Sequence, residues 1–378
     1  IIMNNVKRIC GGLSAAAKKD SILTASFILA VLTMIMVPPS AGYKDYIDFR
    51  VLALLFCLMT VISGFQRCGV FAYLAGRLLA SASSLRHLAW LLVMLPFFFS
   101  MIITNDVSLI TFVPFTILIL NLIGQQKYLA WITVLQTIGA NLGSMTTPIG
   151  NPQNLFLYGK FQISAASFFT TLLPFTLVSF LLLSLMVLKI PNLPLTITLD
   201  STEKQTCAHG PLLLFAILFL MCLGSVFRLL PWEILLAAVI VSLLLFDRPA
   251  LAGADYHLLL TFVCFFVFAG NLGQLEVLQN LFPWLMEKNT VLFSALISQI
   301  ISNVPATVLL SQFTANWTGL LIGGNLGGLG TPIASLASLI SLKYFMKEEP
   351  EKTSRYLAVF FLLNILFFVL LYVLSLIL

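Results

Sequence analysis

The chain has 378 residues, of which 60% are hydrophobic and only 9% charged, with a formal net charge of +6. A soluble domain carries about 25% charged residues, so this composition excludes a water-soluble globular protein. Apolar runs near the ~20 residues that cross a bilayer recur along the chain and read as helices, without the short alternating segments of a β-barrel.

Residues 1–20 carry Lys7, Arg8, Lys18 and Lys19 around a Gly/Ala/Ser stretch. They have no extended apolar core of the kind a cleaved signal peptide needs, so an interfacial segment is expected. Candidate spans follow at 21–38, 49–65, 69–82, 88–103, 107–123, 128–141, 149–160 and 166–189. A polar linker, 191–210, divides the chain. The second set is 211–228, 232–246, 257–272, 290–302, 304–315, 316–325, 332–345 and 355–378. Several of these are too short to cross a bilayer alone.

Lys and Arg fall in short loops, where they set orientation, and no basic patch suggests nucleic acid. The six cysteines, Cys10, Cys57, Cys68, Cys207, Cys222 and Cys264, form no Cys-x-x-Cys pair and read as structural thiols. His87, His209 and His257 have no partners at metal-ligand spacing. No cofactor is expected.

An internal repeat organises the chain. "NLGSMTTPI", Asn141 to Ile149, returns as "NLGGLGTPI", Asn325 to Ile333, with six of nine positions identical. Upstream of each copy an apolar run is interrupted after a hydroxyl-Asn pair, Thr104-Asn105 and Ser302-Asn303. Each half ends in one long apolar helix. The expected fold is an all-α polytopic membrane protein of two inverted repeats, 21–190 and 211–378. Each repeat would hold about five transmembrane helices, a re-entrant hairpin and a broken helix. Interrupted segments at matching positions point to a secondary transporter's binding site.

The breaks are placed at Thr104–Ser108, Gly139–Asn151, Ser302–Thr307 and Gly323–Pro332. In hydrocarbon every backbone N–H and C=O must find a partner, so a break is stable only where the freed groups bind something. Freed carbonyls with Asn and Thr oxygens suit Na⁺, and exposed helix N-termini suit an anion. Candidate substrate ligands are Thr104, Asn105, Ser108, Thr147, Asn151, Ser302, Asn303, Thr307 and Thr331. Asp106 is the one charged residue in a break, and no Lys or Arg lies in any of the four. Such a carboxylate is a functional candidate for holding Na⁺ or exchanging a proton, while a helix N-cap is the plain structural alternative. Without a positive side chain, a multiply charged anion must rely on helix dipoles, hydroxyls and bound cations. A neutral hydroxylated solute such as arsenous acid needs none.

These motifs resemble the ion transporter superfamily, which includes divalent-anion/sodium symporters, arsenite permeases and NhaD-type sodium/proton antiporters. "TNDVSLITFVP" looks like the first hairpin tip of arsenite-permease-type members. "TTPIGNPQNLF" is similar to the family's Thr-x-x-Gly-x-Pro-x-Asn segment, and "SNVPATVLL" and "NLGGLGTPIASLASL" resemble the second hairpin and second broken helix. The resemblance implies a homodimer in which a transport domain moves against a scaffold, elevator-fashion. It also implies a first cation site of Thr104, Asn105 and Asp106 with Asn141 and Gly143. Its symmetry mate would be Ser302, Asn303 and Thr307 with Asn325 and Gly327. The symporters' Ser-Asn-Thr is replaced here by Thr104-Asn105-Asp106 and Ser302-Asn303-Val304, which leans toward the arsenite or anion permeases, with H⁺ as a possible coupling ion.

The expected function is a multi-pass carrier, in a bacterial plasma (inner) membrane, for a small anion or oxyacid coupled to Na⁺ or H⁺. Its partners would be that small-molecule or inorganic ion substrate and the lipid bilayer. A Na⁺/H⁺ antiporter using Asp106 is the alternative, and a channel is a further one. No His-Glu-x-x-His, paired catalytic Asp or Ser/His arrangement supports an enzyme.

Overall fold

A computed structural model describes residues 21–40, 42–79, 81–195 and 209–378. The expected interfacial segment 1–20 and most of the linker 191–210 lie outside them. The described chain is nearly all helical. Its helices are α1 (Ser21–Met36), α2 (Tyr43–Tyr46), α3 (Phe49–Arg67), α4 (Val70–Leu79), α5 (Leu85–Phe99) and α6 (Asn105–Leu122). Next come α7 (Leu129–Ser144), α8 (Pro152–Lys160), α9 (Ala165–Val187), α10 (His209–Val226), α11 (Trp232–Phe246) and α12 (Arg248–Leu251). The last six are α13 (Tyr256–Leu272), α14 (Glu276–Ile301), α15 (Asn303–Leu310), α16 (Trp317–Leu326), α17 (Leu336–Glu348) and α18 (Thr353–Ile377). Among the described residues, five helical stretches are long and apolar enough to cross a membrane, and shorter apolar helices accompany them. The chain is an integral, multi-pass membrane protein.

Packing follows the same plan in both halves. Helix α5 lies along α7, α6 also packs on α7, and α9 closes that group. In the second half α14 lies along α16, and α15 packs on both. The groups interlock, since α17 packs on α6 and α7, α8 on α15 and α16, and α18 on α7. A second layer is formed by α1 against α13 and by α3 against α10 and α11.

The helix pairs approach so closely because glycines remove side chains at the contact. A Cβ on Gly143 would lie 2.0 Å from the carbonyl oxygen of Phe97 and 2.7 Å from Ser100 Oγ. At the matching place in the second half, a Cβ on Gly327 would meet Ser298 Oγ at 2.4 Å. One turn earlier, Gly139 faces the carbonyl of Val93, and Gly323 faces that of Val291. Lipid tails are as apolar as leucine, so such helices associate through tight van der Waals packing, which small residues permit.

Two expectations shift. The sequence predicts breaks that start at Gly139 and Gly323, but α7 remains helical through Ser144 and α16 through Leu326. In these helices the glycines serve close packing, and the chain leaves the helix only after them. The span 290–302 is the second part of a longer helix, α14, that is kinked at Asn289. Asn289 Oδ1 accepts from Leu292 N at 2.8 Å and so caps the second part, while its Nδ2 donates to Tyr372 Oη at 2.7 Å. The part before the kink went unrecognised because Glu276, Pro283, Glu287 and Lys288 interrupt its hydropathy.

Gly143→Ala should lower the thermal unfolding midpoint in detergent by an amount equivalent to about 3 kcal/mol of overpacking. Gly76→Ala, where a Cβ meets nothing within 4 Å, should leave it unchanged or raise it slightly, since alanine favours a helix interior. Equal midpoints for the two variants would remove the close-packing account.

Candidate functional site

The broken segments meet at the centre of the protein, and asparagine amides join them. In the first half, Asn141 lies near the end of α7; in the second, Asn325 lies near the end of α16. The residue that opens the helix after each break reaches across to the other half. Asn151, the N-cap of α8, donates from Nδ2 to Asn325 Oδ1 at 2.9 Å. Ser335, at the start of α17, donates from Oγ to Asn141 Oδ1 at 3.0 Å. Asn325 Nδ2 also donates to Asn154 Oδ1 at 2.7 Å, and Asn141 Nδ2 to the carbonyl of Gly328 at 3.3 Å. All these side chains are buried. Each one satisfies an amide that would otherwise be orphaned in an apolar interior, where an unmade bond costs about 1–3 kcal/mol.

The breaks are held locally as well. Asn151 Oδ1 accepts from Asn154 N at 3.0 Å, and Pro152 starts α8, a favoured N-terminal pairing. Asn154 Nδ2 then takes the freed carbonyls of Met145 at 3.1 Å and Thr147 at 3.2 Å. In the second half freed carbonyls are taken from the preceding helix instead. Gln299 Nε2 donates to Gly327 O at 3.0 Å and Leu329 O at 2.8 Å, and its Oε1 accepts from Thr331 N at 2.8 Å. Thr147 Oγ1 donates to Met101 O at 2.6 Å, and Thr331 Oγ1 makes the equivalent bond to Gln299 O at 3.4 Å.

Beside this lattice lies a cavity of about 410 Å³. Asn105 and Asn303, the first residues of α6 and α15, both line it, so two helix N-termini face one space. Asn105 Nδ2 donates to Asn141 Oδ1 at 3.0 Å, and its backbone N–H to Gly150 O at 3.2 Å. Ser302 joins the lining in the left-handed region at φ 72°, with its Oγ on Ala334 O at 3.2 Å. A non-glycine residue held there costs of order 1–3 kcal/mol, and such strain clusters at functional sites. Phe262 and Phe265 of α13 supply an apolar wall. Asp106 is the charged residue of the lining among the described residues, and its Oδ1 is enclosed without a hydrogen-bond partner. No Lys or Arg lines this cavity among the described residues.

The anticipated residues divide by position. Asn105, Asp106, Ser302 and Asn303 line the cavity; Asn141, Asn151 and Asn325 form the lattice beneath it. Thr104 precedes α6 and lines a second, neighbouring cavity. Ser108 is fully buried, with Oγ on Pro96 O at 3.2 Å. Thr147 and Thr331 fasten the breaks, and Thr307 Oγ1, buried and unpartnered, lies against Gly324. Gly143 and Gly327 lie in the close helix contacts. Three polar residues at the site went unremarked in the sequence. Gln153 lines the cavity with a buried, unpartnered Oε1; Gln299 clamps the second break; Asp255 lines the second cavity. The last two sit outside the repeated motifs, and Gln153 sits between two motif residues as an ordinary helix former.

Comparison of the sequence with known proteins identifies the family. A family model described as citrate transporter matches residues 13–318. The chain belongs to the citrate transporter family. An uncharacterized transporter of Methanocaldococcus jannaschii is 32% identical over 79% of this chain and 81% of its own length. The inner membrane protein YbiR of Escherichia coli is 31% identical over 79% of this chain and 80% of its own. A silicon efflux transporter, LSI3 of Oryza sativa, is 35% identical over 40% of this chain and 31% of its own length. This family member is therefore a membrane transporter of the citrate and ion permease type.

The Asn151–Asn325 bond should be measurable as energetic coupling. In a double-mutant cycle, Asn151→Ala and Asn325→Ala should be less than additive by about 1–2 kcal/mol in unfolding free energy. Strict additivity would mean the two halves are not joined through this pair.

Proposed function

We propose that the protein is a secondary active transporter that moves a small oxyacid or anion together with a coupling cation, Na⁺ or H⁺. The observation that carries this reading is the charge pattern of the cavity. Two helix N-termini and the amides of Asn105 and Asn303 can receive anionic or hydroxylated oxygens, while Asp106 offers the one carboxylate and no Lys or Arg is present among the described residues. A bare multivalent anion would be repelled by Asp106. It can enter only with its charge offset by cations or protons, or be replaced by a neutral acid. Both substrate classes have precedent in the relatives' names, citrate for the family and silicon for the rice protein. The neutral option agrees with the sequence resemblance to arsenite permeases.

In this reading the residues beneath and around the cavity share the work. Asn105, Asp106 and Asn141 hold the cation on one side; Ser302, Asn303 and Asn325 offer a neutral counterpart; Thr104, Ser108, Asn151, Thr307, Thr147 and Thr331 contribute to the substrate site or to its frame. The two halves are inverted repeats, 21–190 and 211–378, and α5–α6 and α14–α15 are re-entrant hairpins. They belong to a transport domain with α7, α8, α16 and α17. The layer of α1, α3, α10, α11 and α13 is the scaffold of a homodimer, against which the transport domain moves. A bacterial inner membrane agrees with the relative YbiR, an inner membrane protein of Escherichia coli.

A second reading is a Na⁺/H⁺ antiporter that uses Asp106 alone, favoured by the unpartnered Oδ1. A thermal-shift panel on purified protein separates them. Arsenite, silicate, phosphate, sulfate, citrate and dicarboxylates would be tested with and without Na⁺ across pH. At least one oxyacid or anion should stabilise the protein, more strongly with its coupling ion, and Asp106→Asn should weaken the cation's effect by about tenfold or more in half-saturating concentration. Stabilisation by Na⁺ with no response to any anion or oxyacid supports the antiporter and overturns the carrier.

A further inference from the structure

Asp106 belongs to two cavities. The first, described above, is mostly apolar, with Asn105, Asp106, Gln153, Ser302 and Asn303 among its polar members. The second has a volume of about 450 Å³ and lies between α3, α6, α13 and α17. The two share Asp106, Leu258, Thr261 and Leu336, so Asp106 sits at the neck between them. Their chemistry differs. Beyond Asp106 the first has no charged lining residue among the described residues, whereas the second also carries Asp255, Lys343, Gln66 and Thr104. Asp255 and Lys343 are exposed; both line this space, the first as the N-cap of α13 and the second in the body of α17.

We propose that the coupling cation reaches Asp106 through this second, charged cavity while substrate occupies the first, and that Asp255 and Lys343 set the cation's affinity in opposite directions. The inference rests on the proposed cation-coupled transport and takes Na⁺ as the cation. A hydrated monovalent cation needs a polar, water-accessible route and is poorly served by the aromatic wall of Phe262 and Phe265. The charged cavity provides that route as far as Asp106, whose enclosed Oδ1 no protein donor occupies. Asp255 raises the local concentration of cations at the mouth, and Lys343 lowers it. Two lining charges of opposite sign tune how much Na⁺ fills the site without touching the substrate's ligands.

Charge changes at Asp255 and Lys343 test this. Asp255 also caps α13, accepting from Leu258 N at 2.9 Å, and Asp255→Asn keeps a capping oxygen while removing the charge. Na⁺ is titrated against the full-length protein in detergent, with choline chloride holding ionic strength low and constant, and the thermal midpoint is read. Asp255→Asn should raise the half-saturating Na⁺ concentration about two- to fourfold, and Lys343→Gln should lower it by a similar factor, as expected for unit charges roughly 10 Å apart in a watery medium. Both shifts should shrink in high salt. Lys347→Gln, on the same helix but outside both cavities, should change nothing. The affinity for a stabilising oxyacid or anion at saturating Na⁺ should stay the same in all three. A wild-type protein that shows no Na⁺ response overturns the Na⁺-coupled reading itself. A wild-type response that Asp255→Asn and Lys343→Gln leave unmoved, or move in the same direction, overturns the two-cavity inference alone.

Discussion

The structure depends on the crossed hydrogen bonds between its two broken helices. Asn151 holds Asn325, and Ser335 holds Asn141, so each half's break is completed by the other half. A helix interrupted in an apolar interior exposes donors and acceptors that neither water nor lipid can satisfy. Here Asn154 and Gln299 take the freed carbonyls within each half, and the side chains of the two breaks hold one another. The glycine contacts at Gly143 and Gly327 belong to the same arrangement. They let α7 sit close against α5 and α16 close against α14.

That lattice leaves little room for a positively charged ligand group, and this shapes the chemistry above it. With asparagines committed downward, the cavity floor presents helix N-termini, a strained Ser302 and one carboxylate. Neutral amides and a single negative charge can discriminate solutes by how their charge is compensated. A site built on arginines would select for anion charge itself, since guanidinium groups bind carboxylates in fixed bidentate pairs. In the proposed function, oxygens reach Asp106 together with a partner cation or a proton.

The two halves use the same motif with different supports. The freed carbonyls after α7 are taken by Asn154, from the helix that follows; those after α16 are taken by Gln299, from the helix that precedes. Ser338, buried and without a hydrogen-bond partner, stands in the second half where Asn154 stands in the first. The first half alone also carries a carboxylate after its hydroxyl-Asn pair. A duplicated frame with one charged and one neutral side can hold two ligands of unlike charge at a shared centre.

Much of this was legible in the order of residues. The apolar runs fixed a multi-pass helical class, because bilayer thickness sets span length. The echo of Asn141–Ile149 in Asn325–Ile333 marked both breaks, because Asn, Thr and Pro are too costly in hydrocarbon to recur there without use. Asp106 stood out for the same reason. The helix ends were less legible: Gly139 and Gly323 looked like breakers, yet both lie within helices, because glycine can loosen a turn or admit a neighbour and only the neighbour decides which. Tertiary structure alone decided that Asn151 pairs with Asn325, that Gln299 replaces Asn154 as the clamp, and that Asp106 lies between two cavities with Asp255 and Lys343 on the far one. Those are contacts between residues distant in the chain, and no local spacing encodes them, because hydropathy reports what a segment tolerates and not which segment it will meet.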